Sequence, residues 1–569
     1  MAEYLSPGVY VEEFDSGPAP MQGVGTSTAG FVGLAERGPV SGAPVFVSSA
    51  SDFTRKFGGY LQQSEFGEYR YLAHAVSHFF ANGGARAFVM RVAPPDAAIA
   101  ALKCGSLSLQ AKSPGAWGNK IVVAISPASK AKTQIYADEG EGKYVFKNAA
   151  DFNVGDVVVL ESGEAREYGV IAAVEGNNVT LQKPFESAGV VDKALLPKTT
   201  VRTCEMTVEV KCEDAVETYD NVSFNIITPN FIEKLMAKSE LVDVAAAHND
   251  EAVAPIDLVR QAAGCDKDVV RLQLAGGANG TAASLSDGDF IGVDKGPGSR
   301  TGIQAFLDNS DVSLMAVPGI TAPNVQLSLV AHCESLGSRF AVLDMPKDAK
   351  SVSEIMDHRN IVDSDYCAMY HPWLEVYDPL DKRNTFIPPS GSVLGIFARS
   401  DNTRGVHKAP ANETVAGCTG LSVTYNNAEQ DMLNPNGVNL IRRFPGQGIR
   451  IWGARTASSK PLWKYVNVRR LFIFLEGSIK ANTNWVVFEP NDELLWIRVR
   501  RTIEVFLEGV WKSGALAGST AADAFFVNIG SATMTQDDID NGRLICVIGV
   551  APVKPAEFVI FRLTQKTGE

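Results

Sequence analysis

No apolar stretch in this 569-residue chain approaches the roughly 18 residues that a bilayer-crossing helix needs. The longest, residues 544–553, is interrupted by Gly549 and Pro552. The opening MAEYLSPGVY has neither a basic head nor an apolar core, so no secretory leader is expected. Cysteine is sparse and scattered: Cys104, Cys204, Cys212, Cys265, Cys333, Cys367, Cys418 and Cys546. No two are spaced as CxxC, which excludes a zinc ribbon and gives no sign of a disulfide framework. They read as free thiols in a reducing compartment.

Signatures of catalysis are equally missing. There is no GxxxxGK[ST] loop to cradle phosphates and no GxSxG nucleophile elbow. Gly23-Val24-Gly25 begins a dinucleotide pattern, but Thr28 stands where the third glycine belongs. His74 and His78 are four apart, a spacing that puts two imidazoles on one helix face. Ala75 replaces the glutamate of HExxH, however, and no acidic third ligand follows, so both read as structural. His332-Cys333 reads as packing inside a helix. Asp363, Asp365, Asp378 and Asp381 suit strand ends and turns, and Asp401, Arg404 and Lys408 suit an ion-pair network. No catalytic residue, metal ligand or cofactor is assigned.

What is present is ordinary globular composition: 45% hydrophobic, 21% charged and 28 Phe. That excludes wholesale disorder, and the length suggests three or four units. The net charge of −13 is unevenly placed. Residues 137–300 hold 15 Lys/Arg against 28 Asp/Glu, a balance of −13, while residues 440–512 hold 13 against 6, a balance of +7. A basic segment can meet an acidic partner; a pI near 5.2 argues that this partner is not nucleic acid.

The pattern along the chain is α/β. Strands are expected at 30–34, 87–92, 312–317 and 339–343, and helices at 51–57, 68–82, 301–308 and 324–336. Ser51 or Asp52 is expected to cap the first helix. Between the two stretches lies a β-rich segment, about 100–300, with strands at 119–125, 154–160, 167–174, 179–181, 201–211 and 222–227 and a hairpin at Gly176-Asn177-Asn178. It reads as an insertion. Later, 464–480 places Tyr465, Val468, Phe472, Leu475 and Ile479 on one apolar stripe. A second helix begins near Asn491 and runs to Lys512, burying Leu495, Val499, Ile503, Phe506 and Val510. Its Arg498, Arg501 and Lys512 fall within about 60° of one another on the opposite side, with Arg500–Glu504 as an i,i+4 pair. Strands at 524–528 and 543–550 follow.

Both ends carry a strand on a tether. Val9, Tyr10, Val11 and Phe14 precede the breaker-rich Ser16-Gly17-Pro18-Ala19-Pro20, and Phe558, Val559, Ile560 and Phe561 follow Pro552-Val553-Lys554-Pro555. A lone strand leaves its backbone groups unpaired and needs another sheet edge.

Several ordered stretches carry a family resemblance. They include Leu5-Ser6-Pro7-Gly8-Val9-Tyr10-Val11, Phe79-Phe80-Ala81-Asn82-Gly83-Gly84, Pro114-Gly115-Ala116-Trp117-Gly118-Asn119 and His371-Pro372-Trp373-Leu374. Further on come Arg404-Gly405-Val406-His407-Lys408-Ala409-Pro410, Arg450-Ile451-Trp452-Gly453-Ala454-Arg455-Thr456, Tyr465-Val466-Asn467-Val468-Arg469-Arg470-Leu471 and Pro555-Ala556-Glu557-Phe558-Val559. The chain resembles the tail sheath proteins of contractile phage tails and phage-derived contractile injection systems. The resemblance covers the start and nearly everything after residue 300; residues 130–300 depart from it.

The resemblance implies an α/β (α+β) fold: a mixed-sheet sheath core with a β-rich insertion and extended N- and C-terminal strand arms. The expected division is an arm at 1–22 and an α/β domain at 23–100 and 301–412. An outer insertion follows at 101–300, then a C-terminal domain at 413–550 facing an inner tube, and an arm at 551–569. It implies a non-enzymatic subunit, assembled in the bacterial cytoplasm without cofactors, that stacks as six-membered rings around an inner tube protein. Contraction drives the tube through a target membrane without inserting the sheath itself. Baseplate and terminal cap proteins are the further partners, and no nucleic acid is. The arms would pair with a neighbour's sheet at Phe525, Phe526, Val527, Leu544, Cys546 and Ile548, and Arg498, Arg501 and Lys512 would face the tube. A non-contractile shell or tube protein, or an enzyme without a recognisable motif, are the alternatives.

Overall fold

The computed structural model describes residues 21–162, 165–186, 199–249 and 251–560; the expected strand at Val9, Tyr10, Val11 and Phe14 lies outside them. The centre of the molecule is a nine-stranded sheet. Its order is Val45–Val47, Ala87–Val92, Ala29–Leu34, Leu314–Ala316, Phe340–Asp344, Cys367–His371, Val438–Phe444, Gly448–Ile451 and Glu413–Thr414. The six strands from Ala87–Val92 to Val438–Phe444 run parallel, and antiparallel strands close both ends. A parallel sheet covered on both faces needs apolar residues on both faces. The strand Ala29–Leu34 is buried throughout: Phe31 packs to one side and Val32 and Leu34 to the other.

Helices Leu72–Ala81 and Ser390–Arg404 cover the first face through Val76, Phe79, Val393, Ile396 and Phe397. Pro323–Leu336 and Val352–Arg359 cover the second through Val325, Leu329, Val330, Cys333 and Ile355. The two helices on the first face touch backbone to backbone. A Cβ at Gly391 would sit 2.3 Å from the Ala75 carbonyl oxygen, and one at Gly395 would sit 2.4 Å from that of Phe79. Only glycine permits that approach.

The inserted chain leaves and returns side by side, with Ala98 and Ala278 exchanging backbone hydrogen bonds of 2.9 and 3.1 Å. It holds a three-stranded sheet, a four-stranded sheet and a closed six-stranded barrel. The barrel is itself inserted between strands Val122–Ala128 and Glu205–Cys212, which pair antiparallel. Its interior is filled by Ile135, Tyr144, Phe146, Leu160, Ile171, Val179 and Val201.

After residue 458 the chain forms a smaller unit. Helix Val466–Asn482, helix Glu493–Lys512 and the antiparallel pair Phe525–Ile529 and Cys546–Val550 enclose Leu471, Leu475, Leu495, Val499, Ile503, Leu507, Val527 and Ile529.

The structure corrects several expectations. Residues 413–457 do not belong with the C-terminal part: three of their strands complete the large sheet, so the boundary falls near 457 rather than 412. Residues 302–306 form a 3-10 turn, not a helix over 301–308. The strand expected at 119–125 is preceded by a 3-10 turn and runs Val122–Ala128. The strand expected at 201–211 breaks at Cys204, where the chain passes from the barrel (Thr200–Thr203) to the sheet (Glu205–Cys212). The strand expected at 222–227 ends there instead, as Ala215–Val222. The first helix is capped by Ser49, whose hydroxyl accepts from the Asp52 amide at 3.0 Å. The long helix is capped by Asp492, accepting from the Leu495 amide at 2.9 Å. Asn491 is instead held by Trp496 Nε1 and the Arg543 carbonyl. In Val466–Asn482, Phe472 and Ile479 are only half-buried, whereas Arg469 and Arg470 are buried. Arg500 donates to the Ile529 carbonyl at 2.6 Å rather than pairing with Glu504.

Candidate assembly surfaces

The residues that first suggested chemistry are structural. Asp378 is fully buried, 2.5 Å from Arg70 and 3.6 Å from His74. Burial holds the His74 imidazole down at about 4 against the opposing pull of Asp378. Asp381 also meets Arg70 at 3.3 Å. Asp365 pairs with Arg469, whose guanidinium lies over Trp463 at 3.5 Å. Asp363 accepts from Ser459. His332 lies 2.7 Å from Arg339, and burial pushes the Cys333 thiol up to about 12. Asp401 pairs not with Arg404 or Lys408 but with Arg470, at 2.9 and 2.5 Å. Among the described residues no group of three or more His, Cys, Asp and Glu could hold a metal.

The described ends of both terminal segments are docked on the body. At the N-terminal side, Gln22 and Asn482 exchange hydrogen bonds of 3.2 and 2.9 Å. The Val24 amide donates to Ser478 Oγ at 3.0 Å, and Thr26 joins the Asp401–Arg470 pair. Gly23 lies so close to Phe474 that a Cβ would be 2.7 Å from the ring. Its glycine therefore serves close packing on a helix, not a phosphate.

At the C-terminal side the pair Phe525–Ile529 and Cys546–Val550 packs one face on the long helix. The other face exposes Phe526, which covers Gly549, together with Val547. Leu544 precedes the second strand rather than lying in it, so the strand expected from 543 starts at Cys546. Among the described residues neither strand has a second ladder partner. Past Val550 the chain first stays on the smaller unit, where Ala551 donates to the Ala524 carbonyl and Val553 to that of Ala515, and it meets the central unit at Glu557. Phe558, Val559 and Ile560 are then exposed by 74%, 67% and 78%. Residues 557–560 form no strand within this chain, and Phe561 lies outside the described residues.

The three basic residues on the long helix are not equivalent. Arg498 lies over Trp485 at 4.7 Å and 3.8 Å from Glu489. Lys512 pairs with Glu508 at 2.7 Å. Arg501 is exposed. Leu494, Ile497 and Val505 are also exposed on this helix, a mixture of apolar and basic groups that periodicity alone did not single out.

Two family models match in direct succession: the phage tail sheath protein central domain over residues 295–457 and the phage tail sheath C-terminal domain over residues 458–566. Their junction falls where the large sheet ends and the smaller unit begins. The tail sheath protein of Escherichia phage P2 is 27% identical over 214 residues, 36% of this chain and 53% of that protein. The tail sheath protein of Vibrio phage KVP40 is 26% identical over 216 residues, 37% and 31% respectively. The chain thus spans about half of the first relative and less than a third of the second. The contracted sheath complex of the extracellular contractile injection system PVC aligns with all of this chain and 99% of its own, with a TM-score of 0.52 at 21% identity. Residues 295–566 of this chain belong to the phage tail sheath protein family.

Proposed function

We propose that this chain is the structural subunit of a contractile sheath. It polymerises with copies of itself as stacked six-membered rings around an inner tube, and its contraction drives that tube through a target membrane. The supporting observation is the C-terminal end. Among the described residues, a two-stranded sheet with no further partner is followed by a tail whose apolar residues Phe558, Val559 and Ile560 project into solvent. Strand addition satisfies backbone groups that a free arm leaves to water. A head-to-tail contact of this kind builds a helix when it does not close.

In this reading the two arms of each subunit, around Val9–Phe14 and Phe558–Phe561, join the Phe525–Ile529 and Cys546–Val550 sheets of neighbours. The long helix faces the tube, with Arg501 the most available cation. The acidic insertion lies outside. Baseplate and terminal cap proteins complete the particle, a phage tail or tail-like device assembled in the bacterial cytoplasm. The work comes from a difference in packing between two states of one lattice, not from an active site.

Removing residues 1–16 tests this. The truncated chain is expected to stay folded and soluble, with near-normal thermal unfolding, and to form no long cylinders by negative-stain microscopy. Full-length cylinders that survive contraction would refute arm exchange.

A further inference from the structure

A heavily satisfied carboxylate at the surface of the central unit comes from the C-terminal tail. Glu557 accepts from Arg455 Nε at 2.8 Å and Nη2 at 2.6 Å, from Asn434 Nδ2 at 2.7 Å and from Tyr465 Oη at 3.1 Å. Lys464 Nζ stands 3.8 Å away. Burial would raise this carboxyl, but the hydrogen bonds from Arg455 and Asn434 outweigh it and hold the group below its ordinary range. Two-point Arg–carboxylate pairing fixes orientation as well as adding energy.

The receiving side is rigid. The Arg455 amide donates to Asn439 Oδ1 at 2.7 Å, and Asn439 Nδ2 donates to the Arg455 and Met369 carbonyls at 2.7 and 3.1 Å. Asn439 lies in the large sheet. The side chain of Arg455 is only 6% exposed.

The tail is held upstream as well. Asn467 Nδ2 donates to the Val553 carbonyl at 3.2 Å, and Pro552 and Pro555 stiffen the run. The change at the next residue is abrupt: Glu557 is clamped, whereas Phe558, Val559 and Ile560 are exposed and carry no hydrogen bond to the body.

We propose that Glu557 is the anchor from which the C-terminal arm departs. It ties residues 551–557 to their own subunit through Arg455, Asn434 and Tyr465, and leaves 558–569 as the part that reaches a neighbour. This rests on the exchanged-arm reading and deepens it by moving the arm's origin from 551 to 558. Residues 558–569 reach at most about 40 Å when extended. A fixed origin limits where the strand can land, so less freedom is lost when it docks. It also delivers any pull on the arm to the large sheet rather than to the two-stranded pair at the end of the smaller unit.

The experiment uses the full chain. Polymerisation is followed by pelleting and microscopy across concentrations, and the unpolymerised protein by thermal unfolding. Glu557→Ala is expected to raise the concentration needed for cylinders by roughly tenfold or more, because a longer flexible segment must be ordered at docking. Its unfolding should barely move. Asn434→Ala, which removes one donor, is expected to give a smaller rise. The exchanged pair Arg455→Glu with Glu557→Arg is expected to recover much of the loss that either change causes alone. Cylinders from Glu557→Ala at the unaltered protein's concentration would overturn the anchor, as would no recovery in the exchanged pair. A chain ending at Glu557 separates the two ideas. If it fails to polymerise while Glu557→Ala succeeds, only the anchor is wrong. If it polymerises normally, the arm reading fails and the anchor with it.

Discussion

The buried pair Arg470–Asp401 joins three parts of the chain, and removing it should loosen the smaller unit from the larger one. Both side chains are 3% exposed. Asp401 receives two hydrogen bonds from Arg470, at 2.9 and 2.5 Å, and one from the Thr26 hydroxyl at 2.7 Å. Arg470 also donates to the Thr26 carbonyl at 2.9 Å and lies 4.9 Å over Phe397. Arg470→Met would strand a buried carboxylate with one hydroxyl, at a cost of about 3–5 kcal/mol. Asp401→Leu would strand the guanidinium at a similar cost. With both replaced, no charge is left unpaired; the remaining loss is the two Thr26 hydrogen bonds, about 1–3 kcal/mol. The double variant should therefore be more stable than either single one.

Urea unfolding followed by tryptophan fluorescence can read this, because Trp463, Trp485, Trp496 and Trp511 all lie beyond residue 458. At a slope near 2 kcal/mol/M, each single change should move the midpoint of that transition down by about 1.5–2.5 M. Single variants costing less than about 1 kcal/mol, within the range of an exposed pair, would refute the reasoning. So would a double variant at least as costly as the two singles added together, since that would mean the charges are not coupled.

Three further outcomes are expected. Arg501→Glu should leave the monomer's unfolding unchanged but yield sheaths that lack a tube or contract early. Each contact is worth only about 0–1 kcal/mol, so the effect comes from repetition along the tube, and normal extended, filled particles would count against it. Replacing residues 130–203 with a short turn between Ala128 and Glu205, which already face each other across a ladder, should leave polymerisation intact; loss of cylinders from a folded protein would place the barrel at a contact between subunits. Stability should fall as pH drops from about 6.5 towards 4, because burial holds His74, His78, His332 and His371 at about 4 and the unfolded chain takes up those protons first. Asp344, raised by burial to about 6, opposes this over the same window, since there the native state binds the proton first. Asp156, Glu205 and Glu476, which burial also raises, oppose it as well, and His358 and His407, which burial also lowers, add to it; six histidines against four carboxylates leave a net fall. A denaturation midpoint that is level between pH 7 and 5 would contradict these burials.

The parallel strands of the large sheet were legible because strands buried on both faces are unbroken apolar runs, as in 29–34 and 87–92, and the barrel hairpin announced itself by its turn. What periodicity could not supply was the partner of a buried charge. Arg469 and Arg470 fall where a helical repeat puts surface residues, yet both are inside, because Asp365 and Asp401 meet them from elements 104 and 69 residues away. The acids and the arginines stand far apart in the sequence, and nothing local joins them. The cap of the long helix failed for a smaller reason. Asn491 and Asp492 are both good caps, and only the indole of Trp496 and the Arg543 carbonyl, one turn on and 52 residues away, decide which is free to serve.

The tail shows the converse case. Its apolar residues read in the sequence as a strand without a partner, and within one chain residues 557–560 form no strand. A frayed end and an exchange arm share that signature, so sequence cannot choose between them. Glu557 bears on the choice. A tail with no task has no reason to end its docked part in a carboxylate with three hydrogen-bonding side chains and then expose three large apolar residues in a row. Exposed apolar groups of that size weaken solubility unless something covers them. A docked origin followed by an uncovered strand makes physical sense if the cover is another copy of the same sheet.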